Sequence, residues 1–122
     1  MHLVLATLLF AAMLMLGLAL DMARIATAWR EASHVAATAA EAGAGWIDEE
    51  EARRDRIVVV PGVAEVAARA VASGEGRVVD VTATASQVCV RVRIRVHPTL
   101  LAMVGAAPKD IAAVACAEPR KG

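Results

Sequence analysis

The sequence predicts an α+β fold: a long N-terminal helix, transmembrane and then amphipathic, followed by a short helix and a small three-stranded antiparallel sheet. Three observations predict it. Residues 3 to 20 contain no charged side chain. An Ala-rich helical pattern follows, with no Gly or Pro between Gly17 and Gly43. From Arg77 the pattern changes to alternation, the period of a strand with one buried face.

The first element is set by length and hydrophobicity. Leu3 to Leu20 would rise roughly 27 Å as a helix, close to the hydrocarbon thickness of a bilayer. Eight of these residues are Leu. A soluble helix apolar on every side needs a large protein around it, which a 122-residue chain does not supply. A lipid bilayer is therefore the expected surrounding. The rival is a cleaved secretion signal, which places Lys or Arg before the apolar core and a small-x-small site just after it. Only Met1 and His2 precede the core here. The first such triplet past the charges, Ala26-Thr27-Ala28, lies beyond Asp21 and Arg24. The expectation is an uncut helix.

Beyond Arg24 the helix becomes two-sided. Ile25, Ala28, Trp29, Ala32, Ala36, Ala39 and Ala40 recur at helical spacing, with Arg24, Thr27, Glu31, His34, Thr38 and Glu41 on the other side. One helix from about Leu3 to Ala42 is expected, with Gly43 and Gly45 as its stop. Residues 1–42 thus form the membrane-spanning and amphipathic helix, and residues 43–122 a small extracytoplasmic α+β domain.

The "DEEEARRDR" stretch, residues 48 to 56, has Asp48 and Glu51 in capping-box spacing, with Glu49–Arg53 and Glu50–Arg54 at i,i+4. Its Arg residues neutralise the carboxylates, so a solvated helical turn is expected and not an acidic metal cluster. Val58 to Val60 are disfavoured as helix by Pro61. From Pro61 a second helix is expected, with Val63, Val66, Ala67, Ala70 and Val71 inward and Glu65 and Arg69 outward. Ser73-Gly74-Glu75-Gly76 ends it.

"RVVDVTATA" and "VCVRVRIRV" read as two strands joined at Ser86-Gln87. Setting Ala85 against Val88 places Val79, Val81 and Ala83 opposite Ile94, Val92 and Val90, and Asp80 against Arg93. "HPTLLAMVGAAP" leaves through a turn and a short apolar helix, and "KDIAAVACAE" returns as the third strand. Pairing Cys116 with Cys89 sets Ile111 against Ile94 and Asp110 against Arg95, and keeps one face apolar. In that register a cross-strand disulfide is expected between Cys89 and Cys116, worth about 3 kcal/mol. There is no C-x-x-C for a zinc site. Two free thiols in a cytoplasmic domain are the alternative. The charges flanking the span favour that alternative, since Arg24 and Arg30 follow it. A disulfide favours an extracytoplasmic head. The disulfide register is given more weight.

The chemistry of a catalyst is missing. His2 is terminal, His34 sits on the polar side of the helix, and His97 precedes Pro98. Ser33, Ser73 and Ser86 have no His/Asp context. With 13 basic and 13 acidic residues, no basic patch points to nucleic acid. The Arg91, Arg93, Arg95 row reads as the solvent face of a strand. No enzyme activity, cofactor, metal, nucleic acid or small-molecule substrate is expected.

A helix of this kind ahead of a small helix and a three-stranded sheet is the plan of a pilin-like subunit. "LALDMARIATAWREASHVAATAAEAGAG" resembles the TadE/TadG-like proteins of the Flp (Tad) pilus assembly system. There an apolar span ends in an acidic residue with an Arg three positions on, then an Ala-rich helix. Asp21, Arg24, Arg30, Ala36, Ala37, Ala39 and Ala40 occupy those places here. "VRVRIRVHPTLLAMVGAAPKDIAAVACAEP" is similar to the family's closing pattern. The chain departs from prepilin-type members at Leu5, where they carry Glu, and has no Gly before Gly17. That moves the resemblance toward the TadG-like branch.

The resemblance implies a non-catalytic minor pseudopilin in the cytoplasmic membrane. Its partners would be the bilayer and other pilin-like subunits or assembly platform proteins. Helix packing would use Ala6, Ala11, Ala12, Gly17, Asp21, Arg24 and Trp29, small residues permitting close approach. Two alternatives are a stand-alone single-pass envelope protein whose outer domain binds a partner or ligand, and a secreted domain released by cleavage.

Overall fold

The computed structural model describes residues 1–120. The fold is α+β, in the order α1 (His2–Ala44), α2 (Glu49–Arg53), α3 (Pro61–Ala72), β1 (Arg77–Ala83), β2 (Val88–Val96), α4 (Leu100–Met103) and β3 (Lys109–Ala117). At 43 residues, α1 is about 65 Å long. Among the described residues it is the one helix long and apolar enough to cross a membrane. Apart from Gly17, residues 1 to 20 are exposed.

The other half of α1 belongs to the head. Ala28, Ala32, Ala36, Ala39, Ala40 and Ala44 are buried, and the last five share a core with Ala64, Ala68 and Ala72 of α3 and Val88, Val90 and Val92 of β2. The sheet order is β1-β2-β3, both pairs antiparallel. Val59 completes the core from the segment that pairs Ile47 with Val59 in an isolated bridge.

Small side chains set the spacing between α1 and α3, and this overturns the expected orientation of α3. Ala64, Ala68 and Ala72 face inward, while Val63, Val66, Ala70 and Val71 are exposed and Ala67 is half-buried. Bulkier Val side chains do not fit where the helix axes approach this closely. The same contact explains Gly43, which is not a stop signal. It lies inside α1, and a Cβ there would stand 2.9 Å from Val88 Cγ1 and 3.0 Å from the Ala64 carbonyl oxygen. Helix α1 therefore runs to Ala44, and Gly45 caps it in the right-handed region. Trp29 is also turned outward, 56% exposed, one position off the alanine stripe.

The β2–β3 register matches the expectation, with Cys89 opposite Cys116, Ile94 opposite Ile111 and Arg95 opposite Asp110. Cys89 and Cys116 are disulfide-bonded on the outer face of the sheet. The β1–β2 register differs by two residues: Val79 faces Val92, Val81 faces Val90, Ala83 faces Val88 and Thr82 faces Cys89. The cause is local. Thr84 closes the turn on Gln87, whose carbonyl accepts from the Thr84 N–H at 2.9 Å. The Ala85 carbonyl accepts from the Val59 N–H at 2.9 Å, so Ala85 is committed to the 58–60 segment and not to β2. An even shift keeps every side chain on its face. Asp80 now sits opposite Arg91 yet still accepts from Arg93 on the diagonal at 3.3 Å.

The acidic stretch forms the short α2. Asp48 accepts from the Glu50 and Glu51 N–H groups, while its own N–H goes to the Val58 carbonyl. Glu51 turns to Arg54 and Arg56, so the reciprocal arm of the capping box is not used.

Candidate functional site

The site with the most specific geometry is where α4 docks on α1, at the end of the uncharged run. Asp21 is the single buried charged residue among those described, at 2% exposure. One carboxylate oxygen accepts from the Thr99 N–H at 3.0 Å. The other accepts from the Leu100 and Leu101 N–H groups at 3.0 and 3.1 Å. The first N–H groups of a helix have no partner within it, so a residue 78 positions away in sequence caps α4. Arg24 donates to the Thr99 hydroxyl and lies 3.9 Å from Asp21.

Asp21 stands just past the uncharged run. The Thr99 and Leu101 N–H groups hold its carboxyl below the ordinary carboxylate range. Burial opposes them, and the Leu100 N–H and the Arg24 guanidinium reinforce them.

Gly17, one turn earlier, completes the latch. A Cβ at this position would overlap Leu100 Cδ1, so glycine is what lets Leu100 seat against the helix backbone. Beside it, Asp21, Met22 and Ile25 line a cavity of about 120 Å³ with Leu101, Ala106 and Ala107.

The seven residues expected to pack against other helices therefore separate into two groups. Gly17, Asp21 and Arg24 make contacts within the chain. Ala6, Ala11, Ala12 and Trp29 are exposed. The latch itself escapes sequence reading. Its sequence signals are an Asp at the end of an apolar span and an uncharged segment, Pro98 to Pro108; that no local side chain caps α4 is seen only in the folded chain.

Asp21→Ala is expected to accelerate amide exchange at Thr99, Leu100 and Leu101 at least several-fold. Exchange at Val90 and Val92 should not change. Hydrogen exchange followed residue by residue checks this.

A second contact ties α1 to the sheet: Arg77 donates to Glu31 at 2.6 Å at the start of β1. Arg95 pairs with Asp110 at 3.1 Å, as the register implies. A shallow groove of about 670 Å³ runs between the end of α1 and the free edge of β3, flanked by Glu41, Gln87, Glu118 and Arg120. No group of three or more His, Cys, Asp or Glu able to hold a metal ion occurs among the described residues. His34 and His97 are both exposed. No protein-family model, no curated protein and no solved structure matches this chain.

Proposed function

We propose that this chain is a minor pilin-like subunit of the TadE/TadG type. In this reading it is anchored in the cytoplasmic membrane by residues 3–20, holds its head outside the cytoplasm, and joins Flp/Tad-type pilus assembly through helix packing without catalysis. The observation that carries the reading is the single 43-residue helix. Residues 1 to 16 are exposed along their whole length, and the second half of the helix is built into the core of the head. An apolar rod left uncovered at one end needs lipid or neighbouring helices around it. A rigid continuation into the head would transmit the packing of that rod to the sheet. The Cys89–Cys116 bridge supports the extracytoplasmic placement, because disulfides persist in oxidising compartments.

Photocrosslinking in cells tests the assembly step. Gly17 is covered by Leu100, so the probe belongs at Ala11, which is exposed. A photoreactive residue at Ala11 is expected to yield an adduct with another pilin-like helix. A membrane-bound protein that gives only lipid adducts would instead favour a stand-alone envelope protein. The groove beside β3 is the observation that supports this second reading, as a place where a partner or ligand would bind.

A further inference from the structure

Building on the membrane-anchor reading, we infer that Pro98–Pro108 is a second membrane contact. Helix α4 and the turn after it lie in the interfacial layer of the bilayer, beside α1. Four observations converge on this placement.

The segment contains no Asp, Glu, Lys or Arg and is bounded by His97 and Lys109. Its level along α1 is set by the latch. Leu100 seats on Gly17, three residues, or about 4.5 Å, inside the end of the uncharged run. Asp21 and Ile25 hold the rest of the segment within the next two turns. A segment docked there lies at the plane where the apolar run ends.

Its outward side chains suit that plane. Outside residues 1–20, Met103 and Val104 are the two most exposed large apolar side chains, at 81% and 80%. Exposed apolar side chains on a short docked element are the means by which interfacial elements enter the boundary between headgroups and acyl chains.

The backbone is also prepared for a layer poor in water. Unpaired N–H groups are costly there. Asp21 takes those of Thr99, Leu100 and Leu101. The Leu101 carbonyl accepts from Val104 and Ala106, and the Ala102 carbonyl from Gly105. Six amides of the segment thus have acceptors inside the protein. Arg24 and Lys109, at the rim, are long enough to keep their charges at headgroup level. Two contacts with the bilayer, where α1 alone would provide one, fix the tilt of the head.

Fluorescence quenching in vesicles tests this on the full chain reconstituted in phosphatidylcholine. An environment-sensitive probe is attached to Met103→Cys under non-reducing conditions, the native cysteines being bridged. Leu9→Cys reports the span, and Glu75→Cys, in the exposed turn before β1, reports the head. Lipids brominated near the ester end of their chains are expected to quench the probe at position 103 roughly twofold or more above the probe at position 75. Lipids brominated near the methyl end should quench position 9 most. Adding Gly17→Leu should drop quenching at position 103 to the level of position 75 and leave position 9 unchanged. Strong quenching at 9 with none above the head level at 103 would overturn the inference while keeping the anchor, and would mean that α4 faces water or a protein partner. Quenching at 103 that ignores Gly17→Leu would overturn the role of the latch. Loss of quenching at 9 as well would overturn the anchor and the inference together.

Discussion

Replacing Gly43 with leucine is expected to destabilise the head by about 3 kcal/mol, at the upper end of the usual cost of overpacking a core. The site offers no room. Val88 Cγ1, the Ala64 carbonyl oxygen and Ala68 Cβ all stand within 3.2 Å of where a Cβ would lie. The third moves only with its helix, the second is backbone, and the first belongs to a fully buried β-branched side chain that is stiff about χ1. Even Gly43→Ala should destabilise. Alanine gains up to about 1 kcal/mol in helix propensity over glycine, but the added methyl must push α3 away from α1. Denaturant unfolding of the full chain in detergent, followed by circular dichroism or by the fluorescence of Trp29 and Trp46, separates the two variants. If Gly43→Leu unfolds at the wild-type midpoint, the close approach of α1 and α3 is wrong.

Removing the Cys89–Cys116 bridge is expected to cost roughly 3 to 4 kcal/mol, from the closure of a 27-residue loop in the unfolded chain. The loop contains α4 and its docking segment, so loss of the bridge also frees the return from β2 to β3. The bridge lies on the outer face of the sheet, away from the alanine core. A Cys89→Ala/Cys116→Ala double variant should therefore keep its fold and lose only stability. Reduction of the wild type should reproduce the same shift in unfolding midpoint. A midpoint indifferent to reductant would show that the β2–β3 ladder alone holds the two strands.

These two predictions rest on different levels of the fold, and they mark what was legible in the sequence. The order of elements, the length of α1 and the β2–β3 register all followed from periodicity. One pairing satisfied three constraints at once: Cys with Cys, Ile with Ile, and Asp110 with Arg95. Side-chain alternation makes such a register self-checking. The alanine stripe of α1 was legible for the same reason.

Three features were not. The inward face of α3 departs from the sequence expectation because hydrophobicity favours Val over Ala, while the space between two helices favours the smaller residue. The β1 register depends on the Thr84–Gln87 turn and on the hydrogen bond from Val59 to Ala85, which comes from a segment the strand pattern does not include. The candidate site was the least legible. Its residues Gly17, Asp21 and Arg24 stood out as the features of a helix that packs on other helices, but only the folded chain shows Leu100 and the α4 amides already occupying them.

The sequence by itself determined what repeats along the chain: where it is helix, where it is strand, which stretch is long and apolar enough to cross a membrane and which cysteines can meet. Tertiary structure alone decided what depends on the shape of a distant neighbour, namely which side of α3 fits against α1 and which backbone donors a lone carboxylate satisfies. Periodicity is a local property that each residue carries with it. Close packing and capping are relations between surfaces, and they exist only once the chain has brought those surfaces together.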